Sequence, residues 1–104
     1  MNRNNLYHQS KQDQLNIYRI ELINLKALSS RTNETVQREM VQHFGWIGFM
    51  IDEINSILID FQKATGKPWH SIQIGLESAL TTLHDSMNAA NAELKHEVVS
   101  SRWG

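Results

Sequence analysis

A glutamate and a histidine near the end of the chain have the spacing of a metal-binding pair. Glu93 and His96 form a Glu-x-x-His unit, and carboxylate-bridged di-iron bundles use two such units with two further glutamates. This sequence contains one such unit, and the apolar positions Leu94 and Val98 indicate that both side chains point away from the core. We therefore expect a solvated helix end here, with no metal ion and no cofactor.

A second pair of reactive residues lies in the segment REMVQH, which runs from Arg38 to His43. Its Arg-x4-His spacing resembles that of the HEPN ribonucleases, helical and often dimeric proteins that pair an Arg and a His near the scissile phosphate. The resemblance implies that His43 would act as acid or base and that Arg38 would stabilise the phosphate. It covers six residues of 104, and Glu39 places an acid where that family has a polar residue. His43 also falls on an apolar stripe, which is typical of a core histidine.

The composition disfavours several classes of function. The chain has 104 residues, of which 40% are hydrophobic and 20% charged, so we expect a single globular domain. The net charge is -1 and the ten basic residues are scattered, which disfavours a nucleic-acid partner. There is no cysteine, and the polar N-terminus lacks the apolar region of a signal peptide. These features predict a cytoplasmic protein.

The most apolar stretch, HFGWIGFMIDEINSILIDF, covers residues 43–61. Its uncharged run spans only 44–51, whereas a membrane-spanning helix needs about 20 apolar residues. Asp52, Glu53 and Asp60 follow, and acids are costly at the centre of a bilayer. The stretch is therefore predicted to be an amphipathic core helix, with no membrane partner.

The predicted fold is an all-α bundle of three long helices, over roughly residues 5–29, 32–64 and 68–100. Gly66 and Pro68 suit a helix end followed by a helix start, while Ser30 or Thr32 can cap the second helix.

The paired glycines Gly45 and Gly48 leave one point of this fold open. Each glycine weakens a helix by about 1 kcal/mol relative to alanine. A kink there would divide the second helix and make four, an alternative that we slightly favour. The other alternative is that the glycines admit the close approach of another helix.

Apolar residues recur at three- and four-residue steps along the second and third segments, which predicts one buried stripe on each. Trp46 falls at the edge of the second stripe. We expect four side chains of these stripes to be almost fully buried: Ile54, Leu58, Leu76 and Leu83.

The first segment has two apolar stripes. One includes Leu15, Tyr18, Leu22 and Leu25, and the other includes Ile17, Ile20 and Ile23. A helix with two such stripes needs two neighbours, which either the bundle or a second chain can supply. Three long helices make an elongated bundle that exposes much surface, so we expect a homodimer that buries the isoleucines against their own copy.

Some large apolar residues leave the predicted stripes and suggest a surface for a partner. Phe49 shares its side of the second helix with four polar residues, Asp52, Glu53, Ser56 and Asp60, and Trp103 lies at the end of the chain. Aromatic residues are enriched at interfaces. An acidic rim around Phe49 suits a basic protein partner, unless the first helix covers Phe49.

The leading hypothesis is a non-enzymatic interaction module that binds a protein partner, itself, or both. Such a module would be an adaptor, an inhibitor or an immunity-type blocker of a toxin. The alternative is a HEPN-like RNA-cleaving dimer that uses Arg38 and His43.

Overall fold

The computed structural model describes residues 3–63 and 68–103, and within these ranges the chain forms three helices and no strand. Helix α1 runs Arg3–Ser29, α2 runs Glu34–Lys63 and α3 runs Pro68–Trp103. The three helices pack together, so the prediction of an all-α bundle of three long helices is confirmed. The boundary residue Gly66 lies outside the described residues, and α3 begins at the predicted Pro68.

Asn33, rather than Ser30 or Thr32, caps the start of α2. Its Oδ1 accepts a hydrogen bond from the backbone N–H of Val36 at 2.9 Å, which satisfies one of the free donors of the first turn. The two residues predicted as caps instead donate their hydroxyls to carbonyl oxygens at the end of α1. The predicted cap was wrong because several side chains in this short turn are able to cap a helix, and the backbone conformation decides which one does.

The core forms along the predicted stripes. Ile54, Leu58, Leu76 and Leu83 are all fully buried, as predicted. Helix α1 contributes Leu15, Tyr18, Leu22 and Leu25, which is the first of its two apolar stripes. No buried side-chain polar atom within the described residues lacks a hydrogen-bond partner.

Helix α2 continues through Gly45 and Gly48 without a break. The favoured division into two helices is therefore wrong. No atom of another element lies within 4 Å of a Cβ placed on either glycine. Neither a helix break nor a close approach inside the chain accounts for the pair, and both glycines lie at the protein surface or close to it.

The bundle is elongated, with extents of 58 × 22 × 16 Å and a radius of gyration of 16.6 Å. A compact domain of this length would have a radius of gyration of about 13 Å. Helix α2 contacts both neighbours extensively, whereas α1 and α3 contact each other much less. Over the described residues, no helix has an apolar stretch long enough to cross a membrane.

Replacing Leu83 with alanine tests these helix faces. Leu83→Ala should lower the free energy of unfolding by about 2–5 kcal/mol, because it leaves a cavity in a closed core. Denaturant titration measures the change. Leu6→Ala is the matched control, because Leu6 is more than half exposed and its loss should change stability by only about 0.5 kcal/mol. Equal effects of the two substitutions would show that the helix faces are assigned wrongly.

Candidate functional site

A contact between a histidine and a glutamate joins α2 to α3 at their shared edge. His43 Nε2 lies 2.6 Å from Glu93 Oε2, with side chains 37% and 39% exposed. Both residues differ from their predicted positions, since His43 lies outside the buried core and Glu93 faces α2 instead of turning away. A pair this exposed contributes at most about 1 kcal/mol to stability. Its clearer effect is to orient the imidazole of His43.

Arg38 and His43 line one open groove together with Thr35, Glu39, Gln42 and Glu93. The structure therefore brings together the two residues that resemble a ribonuclease motif. Two carboxylates share the groove, and their negative charge opposes the binding of a phosphate. His96 is exposed, and across the described ranges no three His, Asp or Glu side chains are grouped as a metal ion would require.

The second apolar stripe of α1 remains uncovered within the chain. Ile17, Ile20 and Ile23 are 56%, 58% and 64% exposed, and we call these three residues the isoleucine patch. At about 100° per residue, Ile20 points directly away from the buried face of α1, with the other two isoleucines on either side. Asn16 and Asn24, which are uncharged and exposed, lie beside the patch.

One exposed face of α2 carries a row of residues that we call the aromatic–acidic ridge, comprising Trp46, Phe49, Glu53, Ser56 and Asp60. The rings of Trp46 and Phe49 stack, with centroids 5.8 Å apart and planes inclined by 19°. Both rings are more than half exposed, so α1 does not cover Phe49. Trp46, placed at the edge of the core stripe from the sequence, belongs to this surface instead. Trp46 and Phe49 are three residues apart, and this spacing in a helix predicts that the two side chains are neighbours.

Beside the ridge is a small groove of about 190 Å³ between α2 and α3. Trp46, Phe49 and Glu53 line it from α2, and Ala79 and Thr82 line it from α3. The short side chains on α3 leave the two rings accessible from the side. Asp52 is exposed near the ridge, while the side chain of Trp103 lies outside the described residues.

Polar contacts between α1 and α3 were not anticipated from the sequence. Tyr7 Oη donates to Glu77 Oε1 at 3.1 Å, and Tyr18 Oη lies 3.1 Å from His84 Nδ1. The other ring nitrogen of His84 lies 3.1 Å from Asn88 Nδ2. The partners of the two tyrosines are 70 and 66 residues away in sequence, so the register of α1 against α3 decides which side chains meet.

Burial raises the pKa of Tyr7 from 10.0 to about 12, and the hydrogen bond to Glu77 and its negative charge add to this effect. A hydrogen bond from Gln73 acts in the opposite direction. The phenol of Tyr7 is therefore held neutral in the folded protein over a range where the unfolded chain would ionise it.

The raised pKa of Tyr7 predicts a loss of stability at alkaline pH. Below pH 10.0 the contribution of Tyr7 is fully present, and it disappears as the pH rises to about 12, because the unfolded chain releases its proton first. Tyr7→Phe should therefore make the free energy of unfolding fall less steeply across this range. Urea titrations of both proteins measure the slopes, and identical slopes would contradict the assignment.

Comparison of the chain with protein-family models, with curated proteins and with solved structures found no match. The resemblance to the ribonucleases thus stands on the spacing of Arg38 and His43 alone.

Proposed function

We propose that the protein is a non-enzymatic interaction module, which pairs with a second copy through α1 and binds a protein partner through α2. The observation that carries this proposal is the exposure of large apolar side chains in two groups, the isoleucine patch and the stacked rings of Trp46 and Phe49. Single exposed apolar residues are ordinary, but clustered ones are typical of interaction sites.

The isoleucine patch supports the self-association. Its three side chains are adjacent on one helix, and the neighbouring Asn16 and Asn24 carry no charge. The patch lies near the middle of a helix about 40 Å long. A two-fold interface uses the same patch on both subunits, so a single apolar row is sufficient. Burying one such half-exposed isoleucine would contribute roughly 1 kcal/mol on each subunit.

Ile20→Asp tests the self-association. We expect the wild-type protein to have twice the 12.0 kDa mass of the chain by light scattering at micromolar concentration. The aspartate places a charge at the centre of the proposed interface and should produce a monomer. Ile74→Asp is the matched control on α3, because Ile74 is 59% exposed and lies outside the patch.

A wild-type mass of one chain, unchanged by Ile20→Asp, would refute the dimer. A dimer that survives Ile20→Asp at full stability would move the interface elsewhere, first to Phe49 or Trp103.

RNA cleavage is the second candidate, and the shared groove of Arg38 and His43 is the observation that favours it. Glu93 holds His43 at 2.6 Å in a way that would suit an acid or base. We rank this candidate below the first because Glu39 and Glu93 give the groove two negative charges beside the one arginine.

Incubation of the purified protein with RNA, beside a His43→Ala variant, separates the two candidates. If the protein is non-enzymatic, both samples should leave the RNA intact to the same extent. Cleavage by the wild-type protein that is absent from the His43→Ala variant would establish the ribonuclease and overturn the first proposal. Far-UV circular dichroism of the variant checks that it remains folded.

A further inference from the structure

We propose that the aromatic–acidic ridge binds a basic helical segment of a partner protein, with one long side chain of that helix in the groove beside Trp46 and Phe49. This inference rests on the proposed function and specifies the partner that the surface of α2 would take. It is drawn from the straightness of the ridge, the shape of the groove and the distribution of charge.

The ridge is straight because its members follow a seven-residue repeat. Trp46, Glu53 and Asp60 are spaced by seven residues, and Phe49 and Ser56 fill the intermediate positions. Seven residues make nearly two helical turns, so the five side chains form a line about 21 Å long. A partner helix packed alongside α2 would contact all five side chains at once.

The groove has room for one side chain but not for a helix. Its volume is about 190 Å³, and its lining is apolar except for Glu53 and Thr82. The stacked rings offer flat faces to an aliphatic chain or a guanidinium group. Glu53 also lines the groove, and its carboxylate would pair with a cation carried by that chain.

The charge beside the ridge is negative between residues 44 and 61, and Lys63 follows at the end of α2. Residues 44–61 of α2 contain three acids, Asp52, Glu53 and Asp60, and no Lys, Arg or His. Residues 68–94 of α3 contain three more acids and no Lys or Arg. Opposite charges steer association and select partners, so this part of the bundle favours a cationic segment and repels an acidic one.

The positions of the acids define the pattern expected in the partner helix. Glu53 lies about one turn beyond the stacked rings and Asp60 about three turns beyond them, both on the same side. The partner should therefore carry an anchoring long side chain followed, in one direction, by basic residues seven positions apart. Helix α1 of a second copy does not fit, because Ile23 lies between Arg19 and Lys26 rather than to one side of them.

Selection from a phage-displayed library of random 16-residue peptides tests the inference, because a helix of that length spans about 24 Å and covers the ridge. Wild-type protein is the bait, and Thr82→Arg, which fills the groove with a cation, is used for counter-selection. We expect the enriched peptides to contain Lys or Arg seven positions apart beside an apolar or arginine anchor. Their affinities for each variant are then measured by fluorescence anisotropy.

Trp46→Ala and Thr82→Arg should each weaken binding by about tenfold or more, as expected for the centre of an interface. Glu53→Gln should weaken it roughly threefold to tenfold, and added salt should have a similar effect. Glu21→Gln, a change at an exposed glutamate of α1 outside the ridge, should leave the affinity within about twofold. Alanine favours a helix more than tryptophan does, so the exposed Trp46→Ala variant should remain folded, which a thermal melt checks.

Enriched peptides that depend on Trp46 but lack basic residues would overturn the partner chemistry while leaving the proposed interaction surface in place. If no peptide binds in a way that depends on Trp46 or Thr82, the ridge is not a binding site. The self-association through the isoleucine patch would then be judged on light scattering alone.

Discussion

The packing of α2 between its two neighbours holds this protein together. Its apolar face is broad enough to be buried by α1 on one side and by α3 on the other, while α1 and α3 touch each other little. A helix used in this way must be apolar over much of its circumference, which explains the unusually hydrophobic stretch at residues 43–61. The same arrangement keeps the bundle long and thin, and a long thin bundle has much surface for its volume.

The outer surfaces are divided by charge as well as by hydrophobicity. Helix α1 carries four basic and two acidic residues, whereas residues 44–61 of α2 and 68–94 of α3 carry acids without Lys or Arg. The isoleucine patch lies on the more basic helix and the stacked aromatic rings on the more acidic one. The two exposed apolar groups therefore lie in different electrostatic surroundings.

The helices and their buried faces could be predicted from the sequence, because the angle between successive residues of a helix is fixed. Leu76 and Leu83 lie on one stripe for this reason alone, and Ile17, Ile20 and Ile23 form one row by the same geometry. Helix periodicity left open whether another helix of the chain covers that row.

Contacts between helices could not be predicted in this way, because they depend on how far one helix slides along another. The pair of His43 with Glu93 and the contact of Tyr18 with His84 are of this kind. The position of Trp46 was ambiguous for a different reason. A small rotation of the helix about its axis moves a residue at the edge of a stripe from the core to the surface.

The limited contact between α1 and α3 also bears on how the folded chain opens. Helix α1 is held mainly by α2, so opening of the α1–α2 contact would release most of its buried face. The short turn capped by Asn33 would act as the pivot of that motion. Backbone amides of α1 would then exchange their hydrogens with solvent before those of α2.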